Sequence, residues 1–146
     1  MENAVFLNIF TDGGSRGNPG QAALGVYIED NSTQPLAEIS KALGIATNNV
    51  AEYKAILEGL SWVVENKSKM PKLKAVNFFM DSNLASSQLN GVYKIKNANL
   101  RELLFKARQM EAQISLPIFY KHIPRENNKR ADRLVNSALD KEINLP

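Results

Sequence analysis

The period of the apolar positions changes several times along the chain, and each change marks an element. AVFLNIF at 4–10 is an almost continuous apolar run, the pattern of a buried strand. It leads into TDGGSRGNPG; five of the eight glycines lie between Gly13 and Gly25, with Pro19 among them. That cluster predicts a tight turn, which places Asp12 at the end of the strand. ALGVYIED, running to Asp30, reads as a second strand. PLAEISKAL follows a polar turn and reads as a third, ended by Gly44, so the three form an antiparallel meander.

From residue 47 the period becomes helical. Tyr53, Ile56, Leu57, Leu60, Val63 and Val64 share one helix face, and Thr47, Asn48 and Asn49 supply N-cap oxygens ahead of it. KAVNFFMD at 74–81 predicts a buried strand reached by a crossover, hence a parallel neighbour. SNLASSQLNG reads as a short helix closed by Gly91. Leu100, Leu103, Leu104, Ala107, Met110 and Ile114 form a further helical stripe. ISLPIFYKHI is a last strand, with Pro117 at its start or on an edge. A final helix from near Asn127 turns Ala131, Leu134, Val135 and Ala138 inward. The order is that of one α/β layered domain over residues 1–146, with no linker, repeat or low-complexity tract.

Composition narrows the chemistry. A length of 146 residues suits one domain, and 44% hydrophobic with 23% charged residues suits a folded one. Without cysteine there are no disulfides, thiolate metal sites or thiol nucleophile, and the single histidine, His122, excludes a multi-histidine site. The N-terminal stretch lacks a basic region and a small-residue cleavage site, and no apolar run is long enough to span a membrane. A cytoplasmic monomer is the expectation. A net charge of +3 leans weakly toward a polyanionic partner.

Four acids stand in unusual places. Asp12 and Asp81 each end an apolar run, where strand-end solubility or, for Asp81, helix capping is the plainer account. Glu52 falls in the first turn of the long helix and near its apolar face. Asp132 has a similar place in the last helix, and the helix dipole accounts for either one alone. Gathered at one rim, however, they would repel and rise in pKa unless a cation sat among them. An oxygen-only set fits Mg²⁺ or Mn²⁺ rather than Zn²⁺. Two such ions about 4 Å apart support phosphodiester hydrolysis.

The segments TDGGSRGNPG, TNNVAEY, MDS and HIPRENNKRADRLVNSAL, in that order and each carrying its acid, resemble the type 1 ribonuclease H family over most of the chain. The resemblance implies a five-stranded mixed sheet in the order 3-2-1-4-5 with helices on both faces. It implies that Asp12, Glu52, Asp81 and Asp132 are catalytic acids that hold two Mg²⁺, with Mn²⁺ as a substitute. His122, in the loop after the last strand, takes the place of a histidine that helps product or metal leave or shuttles a proton. Its Lys121-His122-Ile123-Pro124 setting resembles shorter archaeal-like and bacterial members. The activity implied is cleavage of the RNA strand of RNA–DNA hybrids.

Implied substrate contacts are Gly13, Gly14 and Ser15 in the glycine-rich turn and Asn18 in GNPG. Thr47, Asn48 and Asn49 join them, as do Ser82 and Asn83, where the shorter Asn83 replaces a glutamine common in the family. The basic handle or hybrid-binding domain of some members is missing; only LNGVYKIKNANL joins the two middle helices. Grip on a substrate then falls to Arg16, Lys94, Lys96, Arg125, Lys129 and Arg130, each of which is otherwise a solvated charge. Alternatives are a nuclease that also cuts double-stranded RNA, a non-catalytic nucleic-acid-binding module, and a domain whose acids are only caps.

Overall fold

In the computed structural model, which describes residues 4–92 and 94–143, the N-terminal apolar run becomes β1 (Val5–Gly17). It is followed by β2 (Gly20–Asp30), β3 (Pro35–Ala46), α1 (Asn48–Asn66) and β4 (Leu73–Met80). Then come α2 (Asn83–Leu89), α3 (Ala98–Ile114), β5 (Ile118–His122) and α4 (Lys129–Ile143). The strands form one sheet in the order β3-β2-β1-β4-β5. β1 pairs antiparallel with β2 and parallel with β4, and β4 pairs parallel with β5. The mixed sheet and its order are those implied by the family resemblance.

Layering explains the burial pattern. The odd positions of β1 (Leu7, Ile9, Thr11, Gly13) are buried under α1, and α3 packs on α1 from outside. α4 lies on the opposite face, against β2, β3 and the upper part of β1. β2 is therefore covered on both sides and is buried without a break from Ala22 to Glu29. The main core joins Leu7, Ile9, Ile56, Leu60, Val76 and Phe78, all at most 1% exposed. Each such side chain contributes about 1.5–3 kcal/mol of burial.

Several boundaries differ from the sequence reading, for physical reasons. β1 does not stop at Asp12 but continues through Gly17, with Asp12 opposite Gly25. The glycines there serve close packing: a Cβ on Gly13 would lie 2.2 Å from the Ala51 carbonyl carbon of α1. The turn proper is only Asn18-Pro19, joined by a cis peptide. Gly44 does not end β3; in the left-handed region at φ 73°, it accompanies a register shift, and pairing continues to Ala46. Glu52 lies one turn deeper in α1 than its predicted place, because α1 starts at Asn48. Thr47 alone is the N-cap, its Oγ accepting from the Val50 N–H at 3.2 Å, while Asn48 and Asn49 lie inside the helix. His122 is the last residue of β5 rather than part of the following loop. A 3₁₀ turn at Arg125–Asn127 delays α4 to Lys129. Among the described residues no helix is long and apolar enough to cross a membrane. Residues 1–3 of the N-terminal stretch and Tyr93 of the linker lie outside them.

Gly25 sets the seat of α4. A Cβ there would stand 2.3 Å from the Ala131 carbonyl oxygen and 2.9 Å from the Leu134 Cβ. Neither α4 nor β2, buried on both faces, can yield that space cheaply. Gly25→Ala should therefore lower stability by about 2–3 kcal/mol in urea unfolding, against a much smaller change for Gly14→Ala, whose added Cβ would meet only ordinary contacts at 3.9 Å.

Candidate active site at the rim of the sheet

The parallel pairing of β1 with β4 ends at Thr11 and Met80. The next residue in each segment is an aspartate: Asp12, still paired with β2 opposite Gly25, and Asp81, the first residue past β4, stand where the parallel ladder stops. α1 brings Glu52 from one face and the first turn of α4 brings Asp132 from the other. All four line one open cleft of about 630 Å³, with Gly13, Gly14, Ser15, Asn48 and Asn49 along one wall. Asp12, Glu52 and Asp81 also share a narrow niche of about 10 Å³ floored by Thr11, Ile56 and Met80.

Helix capping does not account for Asp81. The N-cap of α2 is Ser82, whose Oγ accepts from the Ala85 N–H at 3.1 Å, so the Asp81 carboxylate is left free of that role. Burial pushes the Asp12 carboxyl up to about 8, with repulsion from Asp81, Asp132 and Glu52 adding to it and the Gly13 N–H, 3.0 Å away, opposing it. Glu52 rises to about 7 through burial and the Asp81 charge, held back by a hydrogen bond with Ser82. Among the described residues no three acids or histidines stand ready-made around a single metal point. The donor set nonetheless fits a hard divalent cation: oxygen-only, partly buried, mutually repelling, and relieved by positive charge.

The other predicted residues divide clearly. Ser15 N–H donates to Asn48 Oδ1 at 2.8 Å, and Asn48 N–H donates to Asn18 Oδ1 at 3.0 Å. These bonds stitch the hairpin to the start of α1, so both asparagines retain only their amide hydrogens for a ligand. Thr47 and Ser82 act as caps, Asn49 is an exposed part of the cleft wall, and Asn83 is exposed at the start of α2. His122 is exposed beside Met80 on the neighbouring strand and does not line the cleft. Of the basic candidates, Arg16 and Arg125 line it. Arg16 is held by Asp140 at 2.6 Å, whereas Arg130 lies over the Tyr27 ring at 4.7 Å.

Comparison with known proteins agrees with this geometry. The model of the Reverse transcriptase-like family matches residues 10–138. LC11-RNase H1, isolated from compost by a metagenomic approach, superposes with a TM-score of 0.88 at 42% identity, covering 97% of this chain and 99% of that one. The chain belongs to the type 1 ribonuclease H family. LC11-RNase H1 has also been solved in complex with RNA/DNA hybrid. Ribonuclease HI of Halobacterium salinarum is 34% identical over 92% of this chain and 64% of its own. Bifunctional protein Rv2228c of Mycobacterium tuberculosis is 43% identical over 90% of this chain, which spans only 35% of that protein.

For this ribonuclease H chain, sequence reading missed two side chains at the site. Asn136 lines the cleft and its Nδ2 reaches the Asp132 Oδ2 at 3.4 Å; the i, i+4 spacing was the available signal. Asn128, just ahead of α4, is buried against β1, which only tertiary structure reveals.

The raised carboxyl of Asp12 has a definite sign. Below about pH 4 it is protonated in both folded and unfolded chains, and nothing is lost. Between about 4 and about 8 the unfolded chain ionises first, so the metal-free fold loses stability as pH rises. Asp12→Asn should thus stabilise the metal-free protein at pH 8 by about 2 kcal/mol, less than the full shift implies because exposure and salt screen the repulsion. Urea unfolding at pH 4, where the gain should vanish, checks the sign.

Proposed function

We propose that the chain hydrolyses the RNA strand of RNA–DNA hybrids as a divalent-metal-dependent endoribonuclease, leaving 5′-phosphate products. The observation that carries this reading is the convergence of Asp12, Glu52, Asp81 and Asp132 on one cleft, one from within β1, one just past β4 and one from a helix on each face. The structure of LC11-RNase H1 with RNA/DNA hybrid supports the substrate class.

In this reading the four acids hold two Mg²⁺, or Mn²⁺ in their place. When bound, the ions activate a water and stabilise the leaving oxygen of the scissile phosphate. Asp12 would be central to that set, because it feels the other three carboxylates and its carboxyl is pushed up by burial and by their charge. Gly14, without a side chain, lets the backbone of the RNA strand approach the wall of the cleft, while Gly13, whose missing side chain makes room for α1, offers the cleft its backbone. Ser15 and the amide hydrogens of Asn18, Asn48 and Asn49 face the sugar edge, where the 2′-hydroxyl distinguishes RNA from DNA. Thr47 and Ser82 contribute by holding the helix starts that carry Asn48, Asn49 and Asn83. Arg125 supplies the cleft with a cation for a flanking phosphate. His122, exposed at the end of β5, has the solvent access needed to exchange a proton or accompany product out.

The test is cleavage of labelled RNA–DNA hybrid with Mg²⁺, beside duplex RNA and duplex DNA of the same sequence. Hybrid should be cut in its RNA strand and duplex DNA not at all. Equal cutting of all three would overturn hybrid specificity, and comparable cutting of duplex RNA would establish the broader nuclease. Asp81→Asn should keep the fold while lowering kcat by about a thousand-fold, roughly 4 kcal/mol. A variant as fast as the parent would remove Asp81 from the proposed machinery.

A further inference from the structure

Asn128 is 1% exposed, a rare degree of burial for an amide. Its Nδ2 donates to the Thr11 carbonyl at 2.9 Å, one residue before Asp12. Its backbone carbonyl accepts the Asp132 N–H at 3.1 Å, and its own N–H donates to the Arg125 carbonyl at 3.0 Å. A single residue therefore ties together the strand that carries Asp12, the helical turn that carries Asp132, and the 3₁₀ turn that carries Arg125. Those three side chains face one another across the cleft.

The side chain is also imperfectly satisfied. A carbonyl can only accept, so the half of the amide at Thr11 must be the NH₂ group. That leaves Oδ1 buried and without a hydrogen-bond partner among the described residues. Buried polar groups are normally paired, and an orphan acceptor weakens a fold relative to an apolar side chain of the same shape. What the side chain does hold is defined by its donor: the Nδ2 group fixes the Thr11 carbonyl to the start of α4.

We propose that Asn128 is a positioning residue: by clamping the Thr11 carbonyl to the start of α4, it sets the separation of Asp12 and Asp132 and with it the affinity of the carboxylate set for divalent cations. The inference rests on the reading of those acids as cation holders. The physical reason for leverage is the repulsion between them. Asp12, opposite Gly25, lies on the face of the sheet that α4 covers, and Asp132 comes toward it from the first turn of α4, so without a rigid tie α4 can relieve their repulsion by moving away. Cation binding then has to draw the helix back. Partners that orient metal ligands typically change affinity about 10–100-fold.

Asn128→Ala and Asn128→Leu test this together. Leucine keeps the branched shape and removes the orphan oxygen, so it folds even where alanine leaves a damaging hole. Asn90→Ala is the control, because it breaks a similar amide-to-carbonyl bond, to Tyr120 at 2.9 Å, away from the cleft. Mn²⁺ titration by calorimetry on the substrate-free proteins gives a readout independent of turnover, with urea unfolding alongside. Both Asn128 variants should bind Mn²⁺ about ten-fold more weakly than the parent. Their cleavage should recover toward the parent rate as metal is raised, with KM for hybrid changed less than about two-fold. Asn90→Ala should keep parental Mn²⁺ affinity whatever stability it loses. Parental Mn²⁺ affinity in Asn128→Leu, or an equal loss in Asn90→Ala, overturns the proposal while leaving the enzyme reading intact. A parent protein that binds no Mn²⁺ overturns both.

Discussion

The structure depends on one register: the parallel pairing of β1 with β4, which ends level at Thr11 and Met80. Parallel strands need a crossover; here α1, which follows β3 and leads into β4, makes it while packing on β1 and β2. A slip of one residue in either strand would turn its apolar set to the wrong face and separate the aspartates that follow. Core packing and the placement of acidic groups are therefore controlled by the same constraint. Asp12 and Asp81 stay adjacent because Ile9, Phe78 and Leu7 have no other way to be buried.

Placed this close, the acids work against the fold. Asp12 is pushed up to about 8 and Glu52 to about 7, so the rim favours either protons or cations over bare charge. The surrounding hydrogen bonds resist the separation that repulsion favours. Ser82 caps α2 and so frees Asp81 from that duty, Asn48 and Asn18 join the hairpin to α1, and Asn128 joins α4 to β1. A neutral, polar frame of amides and hydroxyls can hold carboxylates in place without neutralising them, which lysines or arginines at the same positions would do. This division also explains the modest net charge of the whole chain. The four acids conceal a larger basic excess elsewhere, which a polyanion would meet once cations occupied the rim.

Much of the site was legible because each acid interrupts an apolar pattern. Asp12 and Asp81 follow buried runs, Glu52 sits near the apolar stripe of α1, and Asp132 opens α4. Local signals failed where tertiary packing gives a residue type a second meaning. Gly13 reads as a turn residue, yet it lies within a strand, and both there and at Gly25 of the second strand a helix approaches too closely for a Cβ. Gly44 reads as a stop but goes with a register shift within continued pairing. Asn18 and Asn48 read as ligand contacts, and half of each amide already holds the backbone together. His122 keeps its place near Asp81 but remains outside the cleft, on the edge strand.

The sequence by itself determined the element types, their order and the identity of the acids, since hydrophobic period and chain order are local properties that side chains carry with them. Ordered motifs, each carrying one of the four acids, also pointed to the family. Only the tertiary structure decided which groups share a volume. It put Asp12 and Glu52 in one niche, drew Asn136 to Asp132, and buried Asn128 between β1 and α4. Distances between residues more than a hundred positions apart follow from how sheet and helices pack, and burial and repulsion, the quantities that set the chemistry of the rim, exist only once they have.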